Sequence, residues 1–596
     1  MDKVMCRVVA RSAGRETDSS PASLTPARAG LHCALIRSSA RVCAAVLACG
    51  ALLADAPKRE QPQWGGILHV AQRAGPRTFN PITAVDAPSL EVIRRIHADL
   101  ISIDRFTQKT VPALAESWTR SPDGKRYILK LRKGVRFSDG ASFSADDVVF
   151  SWSVYLDERL HSPQRDLLLI GGQPIGVSRK DALTVEFVLP QPRASAERLF
   201  DSVAMLPRHR LEPLWKAGKL ADAWPVSVNP TEVVGLGPFR LKEYKPGESV
   251  VLERNPYYWR AAPESGKSLP YLGGIEFRLL PDEGAQLARF VAGDLDVLNR
   301  LSMNAVSYLE SKGAAVTDLG PGFEYNFLCF NLSPRAPKLA WFGSREFRQA
   351  LSLAADRDGM AQVVFQGRAT PIWGHVSPGN SVWYSSRVPQ PARSIPQAKE
   401  LLKRAGFRWN ASNQLVDAGG TRVEFSILVS TSSPERVQMA TMLQSDFAQL
   451  GVSVIVSPLE FRSLLDRVTN TRQFDTVLLG LGGGDGGPNS EMNVWLSSGG
   501  THLWNPNQKQ PSSEWEAEID GLMERQMVAL NAAERKELYG RVQEIVVEQS
   551  PMIFLVSPHV VVAQRGGVGN FRPAMMDHFT LWNAGELFLR RGGPAP

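Results

Sequence analysis

Apolar and polar positions alternate most regularly within residues 115–152. The central part of this stretch has apolar side chains at every second position, namely Tyr127, Leu129 and Leu131. A period of two is that of a strand with one face in the core. Pro-Asp-Gly at 122–124 and Ser-Asp-Gly at 138–140 are turn sequences on either side of it. The pattern predicts a half-buried strand over 126–132 between two tight turns.

A helix is predicted directly after the second turn. Ser144 stands three residues before Asp147, which is the spacing of a capping box. The apolar side chains that follow are Val148, Val149, Phe150 and Trp152. Residues 115–152 are therefore expected to form one compact unit of turn, strand, turn and helix.

The rest of the chain shows the same two periodicities. Apolar stripes at helical spacing predict helices over 89–101, 285–292, 344–358, 396–405, 434–450 and 533–548. Alternating or short apolar runs predict strands over 65–71, 183–189, 325–332, 452–456, 553–556 and 560–563, and a hairpin over 235–259. The order helix, glycine, strand around Gly451 is typical of a layered α/β domain.

Three of these stretches carry a family resemblance. Residues 115–152 resemble the signature of the family 5 extracellular solute-binding proteins, the peptide-binding subunits of bacterial ABC importers. The sequences GPFRL and VLERNPYYW within 235–259, and REFRQALSLAADRD at 345–358, are similar to further segments of the same family. The resemblance extends over about 65–590, which is nearly the whole chain after its N-terminal segment.

The resemblance implies an α/β fold of the periplasmic-binding-protein type II. This fold has two lobes with a ligand cleft between them, and here an extra small domain. We expect a leader over 1–56, a small domain over 107–204 and lobe II over 326–554. The expected lobe I is discontinuous and consists of 64–106, 205–325 and 555–596.

The N-terminal segment reads as an export signal. Arg37 and Arg41 precede an apolar run over 42–54, which is too short to span a bilayer and suits a signal peptide. Two processing sites compete: Ala-Asp-Ala at 54–56, and a lipoprotein-like box in which Cys49 would be acylated. We therefore expect a periplasmic protein, with a lipid anchor through Cys49 as the alternative.

Composition excludes several classes of protein. The chain has 596 residues, of which 43% are hydrophobic and 21% charged, and this length predicts two or three domains. Its formal charge of +8 is scattered and lies partly in the leader, so no nucleic-acid partner is expected. Of five cysteines only Cys329 lies beyond the leader, which excludes a disulfide framework and a cysteine-based metal site.

Catalytic motifs are missing from the sequence. The nine histidines show no metal-binding spacing, and no nucleophile-elbow sequence occurs. His375 and His502 would be metal ligands only if the fold brought them together. We therefore predict a binding protein without catalytic residues, resident metal or cofactor, and a cell-envelope hydrolase is the alternative of another class.

A glycine-rich segment is the main candidate for ligand contact. Gly482, Gly483 and Gly484 follow an apolar run, and glycine lets a ligand approach the backbone closely. In the resembled family this strand end pairs with the ligand backbone, and an aspartate there receives the peptide's α-ammonium group. Gly484 stands at the position of that acid and Asp485 one residue later. Asp485 is therefore predicted either to bind the ammonium group or to bond its own backbone in a turn.

Four further residues are weaker candidates. Trp495 and Tyr325 offer aromatic walls for a ligand cleft, and core packing is the alternative for both. Ala84 and Val85 match the other strand that embraces the peptide in the family. The expected function is the capture of di- or oligopeptides by a monomer, for delivery to an inner-membrane permease with a separate ATPase. Alternatives on the same fold are an oligosaccharide, nickel or haem.

Overall fold

The structure is a computed structural model and describes residues 60–484, 486–576 and 580–590. The predicted leader, with Cys49 and both processing sites, lies outside the described residues, and so does Asp485. Three main β-sheets organise the described part, and they are called the first, second and third sheet below.

The first sheet has eight strands of mixed direction. Seven follow one another in the order Phe239–Lys245, Ser249–Arg254, Gly274–Leu279, Ile67–Gln72, Val297–Leu298, Val556–Gln564 and Val316–Pro321, and Ala369–Pro371 also pairs with Val556–Gln564. Ile67–Gln72 runs parallel to Gly274–Leu279, and the hairpin predicted over 235–259 is confirmed.

The second sheet has five strands, in the order Ser453–Leu459, Glu424–Ser430, Thr476–Leu481, Tyr325–Phe330 and Met552–Phe554. Glu424–Ser430 is parallel to both of its neighbours. Every residue of Tyr325–Phe330 is buried, because helices cover both faces of the sheet. Cys329, in this strand, is a buried free thiol.

The third sheet contains the unit predicted from residues 115–152. Its antiparallel strands are Ala115–Arg120, Arg126–Leu131, Thr184–Val188 and Gly176–Asp181. The predicted helix runs from Ala145 to Leu156, and its capping box is present. Trp152 of this helix packs edge-on against Phe187, with 4.8 Å between ring centroids.

Helices and short strand pairs surround the sheets. The helices are Ala87–Ile96, Ala145–Leu156, Arg208–Lys216, Glu283–Ala292, Met303–Ser311, Leu339–Phe342, Arg345–Ala354, Arg357–Val363, Ile395–Arg404, Pro434–Ala448, Phe461–Leu465, Met492–Trp495, Glu514–Val528 and Ala532–Gln549. The strand pairs are Ile101–Ile103 with Thr110–Pro112, Leu169–Ile170 with Gln173–Pro174, Arg408–Trp409 with Leu415–Val416, and Val568–Gly569 with Phe588–Leu589. No helix in the described ranges is long and apolar enough to cross a membrane.

Two predicted helices differ from the observed ones. The helix predicted over 344–358 is two helices, because Ala355 is extended and Asp356 caps the second by accepting a hydrogen bond from the Gly359 N–H. The helix predicted over 89–101 ends at Ile96, since Ile101 already belongs to a strand.

The chain crosses between the first and second sheets at two adjacent places. Residues 322–324 connect Val316–Pro321 to Tyr325–Phe330, and Leu555 connects Met552–Phe554 to Val556–Gln564. The Gly322 N–H donates to the Pro558 carbonyl at 2.9 Å, so the two crossings lie side by side. The α/β fold is as expected, whereas the exact domain boundaries stay a prediction.

Candidate functional site

A cavity of about 440 Å³ lies beside the two crossings. Its walls come from both sheets. The first sheet contributes residues 300–303, which follow Val297–Leu298, and residues 558–561 of Val556–Gln564; the crossing contributes 322–324. The second sheet contributes residues 482–484, directly after Thr476–Leu481. Ligand sites of proteins typically have volumes of this size.

The glycine segment forms one wall because neighbouring groups leave little room for side chains. A Cβ atom on Gly483 would lie 2.8 Å from both the Cβ and the carbonyl oxygen of Phe323. Gly484 has a φ of +51° and a hypothetical Cβ only 2.7 Å from Ser490 Oγ. Gly482, in contrast, has open space where a side chain would begin. The segment therefore presents backbone groups to the cavity with no side chain in front of them.

Charged groups of both signs stand around the cavity. Glu324 on the crossing is paired with Arg436 at 2.7 Å, and Arg436 also donates to Asn326 at 2.8 Å. Glu435 and Arg300 line the cavity from the second-sheet and the first-sheet side respectively. The cavity is thus polar enough to orient a charged ligand.

His559 lines the cavity and contacts side chains of the two strands beside its own. Its Nδ1 lies 2.9 Å from Asp318 Oδ2 and its Nε2 lies 3.0 Å from Thr370 Oγ1. These contacts tie together three neighbouring strands of the first sheet. The imidazole is held from both nitrogens, so its role here is to fix the strands.

A buried polar network lies close to the glycine segment. Glu491 accepts hydrogen bonds from Trp495 Nε1 at 2.8 Å and from the Tyr539 hydroxyl at 2.9 Å. Burial, together with the charge of Glu491, raises the pKa values of Tyr539 and Tyr325. Burial lowers the pKa of His375 to about 3, so its imidazole is neutral. Glu491, Tyr539 and His375 of this network line a small cavity together with Gly483.

The structure places the predicted site residues in three different settings. Gly482, Gly483 and Gly484 line the cavity. Trp495 and Tyr325 are completely buried in the second-sheet core, and Ala84 is buried while Val85 is 70% exposed. None of these four lines the cavity, and their ligand contacts stay predictions.

His375 and His502 are held in separate environments. His375 Nε2 lies 3.2 Å from the Tyr539 hydroxyl, whereas His502 Nε2 lies 3.2 Å from Glu516 Oε1. The ring of Trp495 packs against that of His375, with 4.0 Å between the ring centroids. The ring of Trp504 packs against that of His502, with 3.8 Å between the ring centroids. The described residues contain no group of three or more side chains suited to hold a metal ion.

Sequence reasoning missed Phe323, Glu324, Glu435 and Arg300. A partial sequence signal existed for Glu435, which lies in the first turn of the helix predicted over 434–450; the structure adds that the preceding strand Glu424–Ser430 is parallel to the strand before Gly482. The carboxyl ends of parallel strands meet at one edge of a sheet, where ligands commonly bind. Phe323, Glu324 and Arg300 had no such local signal, since their position depends on the sheet order.

Comparisons with known proteins agree with this architecture. The profile of bacterial extracellular solute-binding proteins, family 5 Middle, matches residues 109–502. A probable ABC transporter-binding protein of Deinococcus radiodurans is 29% identical, and the match covers 84% of this chain and 88% of the relative. The oligopeptide-binding protein AppA of Bacillus subtilis is 26% identical, with 84% and 87% covered.

One further relative is named for haem binding, and one solved structure shows the same fold. The heme-binding protein A of Haemophilus influenzae is 25% identical, with 80% of this chain and 84% of the relative covered. The crystal structure of the ABC transporter substrate-binding protein CtaP of Listeria monocytogenes superimposes with a TM-score of 0.72 at 24% identity. It covers 89% of this chain and 100% of CtaP.

Proposed function

The chain belongs to family 5 of the bacterial extracellular solute-binding proteins, and from this premise we propose that its ligand is a peptide. As a member of that family, it is a non-enzymatic substrate-binding protein that works with an ABC transporter outside the cytoplasm. The proposal concerns the ligand, because relatives of similar identity carry names for peptide and for haem binding.

The observation that supports a peptide is the glycine wall of the cavity. A peptide carries an N–H and a C=O group at nearly every residue, and each must find a partner when it leaves water. Gly482, Gly483 and Gly484 bring unshielded backbone groups to the cavity. Hydrogen bonds from the protein backbone can satisfy the N–H and C=O groups of a peptide whatever its side chains are, which suits peptides of varied sequence.

In the proposed transport cycle, the two predicted lobes enclose the ligand. Lobe I and lobe II close over the peptide, and the peptide stabilises the closed state by its higher affinity for that state. The closed monomer then docks on the permease in the inner membrane, where a separate ATPase supplies the energy for transport. In this proposal the leader exports the chain to the periplasm, and a lipid anchor through Cys49 is the alternative.

Native mass spectrometry of the purified protein tests this proposal. We expect bound species that dissociate as di- or oligopeptides of mixed sequence and whose masses do not change on incubation with the protein. Recovery of haem, nickel or an oligosaccharide instead would overturn the peptide assignment. Release of peptide fragments would favour the hydrolase alternative.

A further inference from the structure

We propose that Glu435 is the carboxylate that receives the positively charged ammonium group of the peptide. This inference rests on the proposed peptide function and adds a specificity-determining residue to it. Glu435 lines the same cavity as the glycine segment, Phe323 and the first-sheet residues 300–303. The ammonium group is either the peptide's amino terminus or the side chain of a lysine.

The sheet topology carries Glu435 to the cavity. The strand Glu424–Ser430 is followed by a short turn and by the helix Pro434–Ala448, in whose first turn Glu435 lies. The same strand is parallel to Thr476–Leu481, so the segments that follow these two strands begin at the same edge of the second sheet. The first of these segments leads to Glu435, and the second is the glycine segment.

Glu435 differs from the other acids around the cavity in its partners. Glu324 is paired with Arg436 at 2.7 Å, and Asp318 lies 2.9 Å from His559 Nδ1. Glu435 forms no ion pair with any cation of the described ranges, and the hydrogen bond to its Oε2 from Ser433 Oγ is long, at 3.4 Å. Its carboxylate is therefore the one around the cavity whose charge the described residues leave uncompensated.

A partly buried carboxylate beside a cavity gains most from a ligand that brings a positive charge. Negative charge is also stabilised in the first turn of a helix, where Glu435 lies. An ammonium group forms a charge-assisted hydrogen bond with such a carboxylate, and the pair strengthens as the closing cavity excludes water.

The test uses native mass spectrometry with three mixtures of di- and tripeptides: free peptides, Nα-acetylated peptides without lysine, and Nα-acetylated peptides with lysine. The variant is Glu435→Gln. Its matched control is Glu534→Gln, which removes an exposed acid from the first turn of Ala532–Gln549. Asp485→Asn examines the acid that the sequence alone suggested. Melting temperatures verify that each variant is folded.

We expect wild type and Glu534→Gln to retain ammonium-bearing peptides, and Glu435→Gln to retain them about tenfold less well, as for the loss of one hydrogen bond to a charged group. Binding of acetylated peptides without lysine stays unchanged. Loss of the acetylated lysine mixture identifies the lysine side chain as the source of the ammonium group.

The inference is overturned if Glu435→Gln binds like wild type, if it weakens all three mixtures equally, or if only Asp485→Asn shows the selective loss. Each of these results leaves peptide binding by the wild-type protein intact. A wild-type protein that retains no peptide from any mixture overturns the proposed function itself, and the inference with it.

Discussion

Gly482 and Gly483 are neighbours on the cavity wall, but a methyl group at the two positions would meet different surroundings. At Gly483 it would collide with the backbone and Cβ of Phe323 at 2.8 Å, whereas at Gly482 it would enter open space. We expect Gly483→Ala to lower the free energy of unfolding by about 1–3 kcal/mol, because the crossing segment must shift. Thermal or denaturant unfolding measures this cost.

The matched variant Gly482→Ala separates stability from binding. Its unfolding free energy should stay within about 0.5 kcal/mol of wild type, since nothing lies near the added methyl. Its peptide affinity should nevertheless fall, because the methyl stands between the backbone and the ligand. Equal stability of Gly483→Ala and wild type, or full peptide affinity of Gly482→Ala, would contradict this account of the wall.

Single residues also show what the sequence could and could not reveal about the site. Gly482, Gly483 and Gly484 were recognisable because three glycines after an apolar run are a local signal. Phe323 and Glu324 were not, since only the crossing between the sheets brings them to the cavity. The resemblance predicted a change of lobe at 325/326, next to this crossing, but not that residues 323 and 324 face the cavity.

At the scale of elements, strands and turns were predicted best where a glycine or proline marked the turn. The hairpin strands Phe239–Lys245 and Ser249–Arg254 enclose Pro246-Gly247 as expected, and Gly247 has a φ of +77°. The break at Ala355 was not predictable from periodicity, because the apolar stripe of Arg345–Ala354 reaches Ala354 and Ala355 without interruption. The side chain of Asp356 decides it by capping the next helix.

The third-sheet part of the chain contacts the second-sheet part directly. Asn489 Nδ2 donates to Ser195 Oγ at 2.6 Å, and Gln108 Nε2 donates to Asn380 Oδ1 at 2.8 Å. Asn380 in turn donates to the Gly486 carbonyl at 2.7 Å, just beyond the glycine segment. These contacts connect the third-sheet part of the chain to residues close to the glycine segment.

Ser195→Ala should loosen this connection. It removes the acceptor for Asn489, and a hydrogen bond of this kind contributes about 1 kcal/mol. With spin labels on the third-sheet and second-sheet parts, we expect the unliganded variant to populate longer label distances than wild type. Ser153→Ala, an exposed serine of Ala145–Leu156, is the control. Identical distance distributions for Ser195→Ala and wild type would show that this hydrogen bond does not keep the two parts of the chain close together.

At the scale of the whole molecule, a polar cavity lies beside two adjacent crossings of the chain, and both the first and the second sheet contribute to its walls. The resemblance in the sequence predicted the fold class, and the family match and the similar solved structures confirm it. Neither local periodicity nor composition predicts which charges line the cavity, because residues distant in sequence supply them. The ligand follows from these lining residues rather than from the fold.

Hydrogen–deuterium exchange of the wild-type protein, with and without the peptides recovered from it, tests the central claim most directly. We predict that bound peptide slows exchange at residues 482–484 and 322–324, which face the cavity, and leaves the outer helix Ile395–Arg404 unchanged. Protection confined to an outer surface, or unchanged exchange at 482–484 in the presence of saturating peptide, would contradict a ligand enclosed beside the glycine segment.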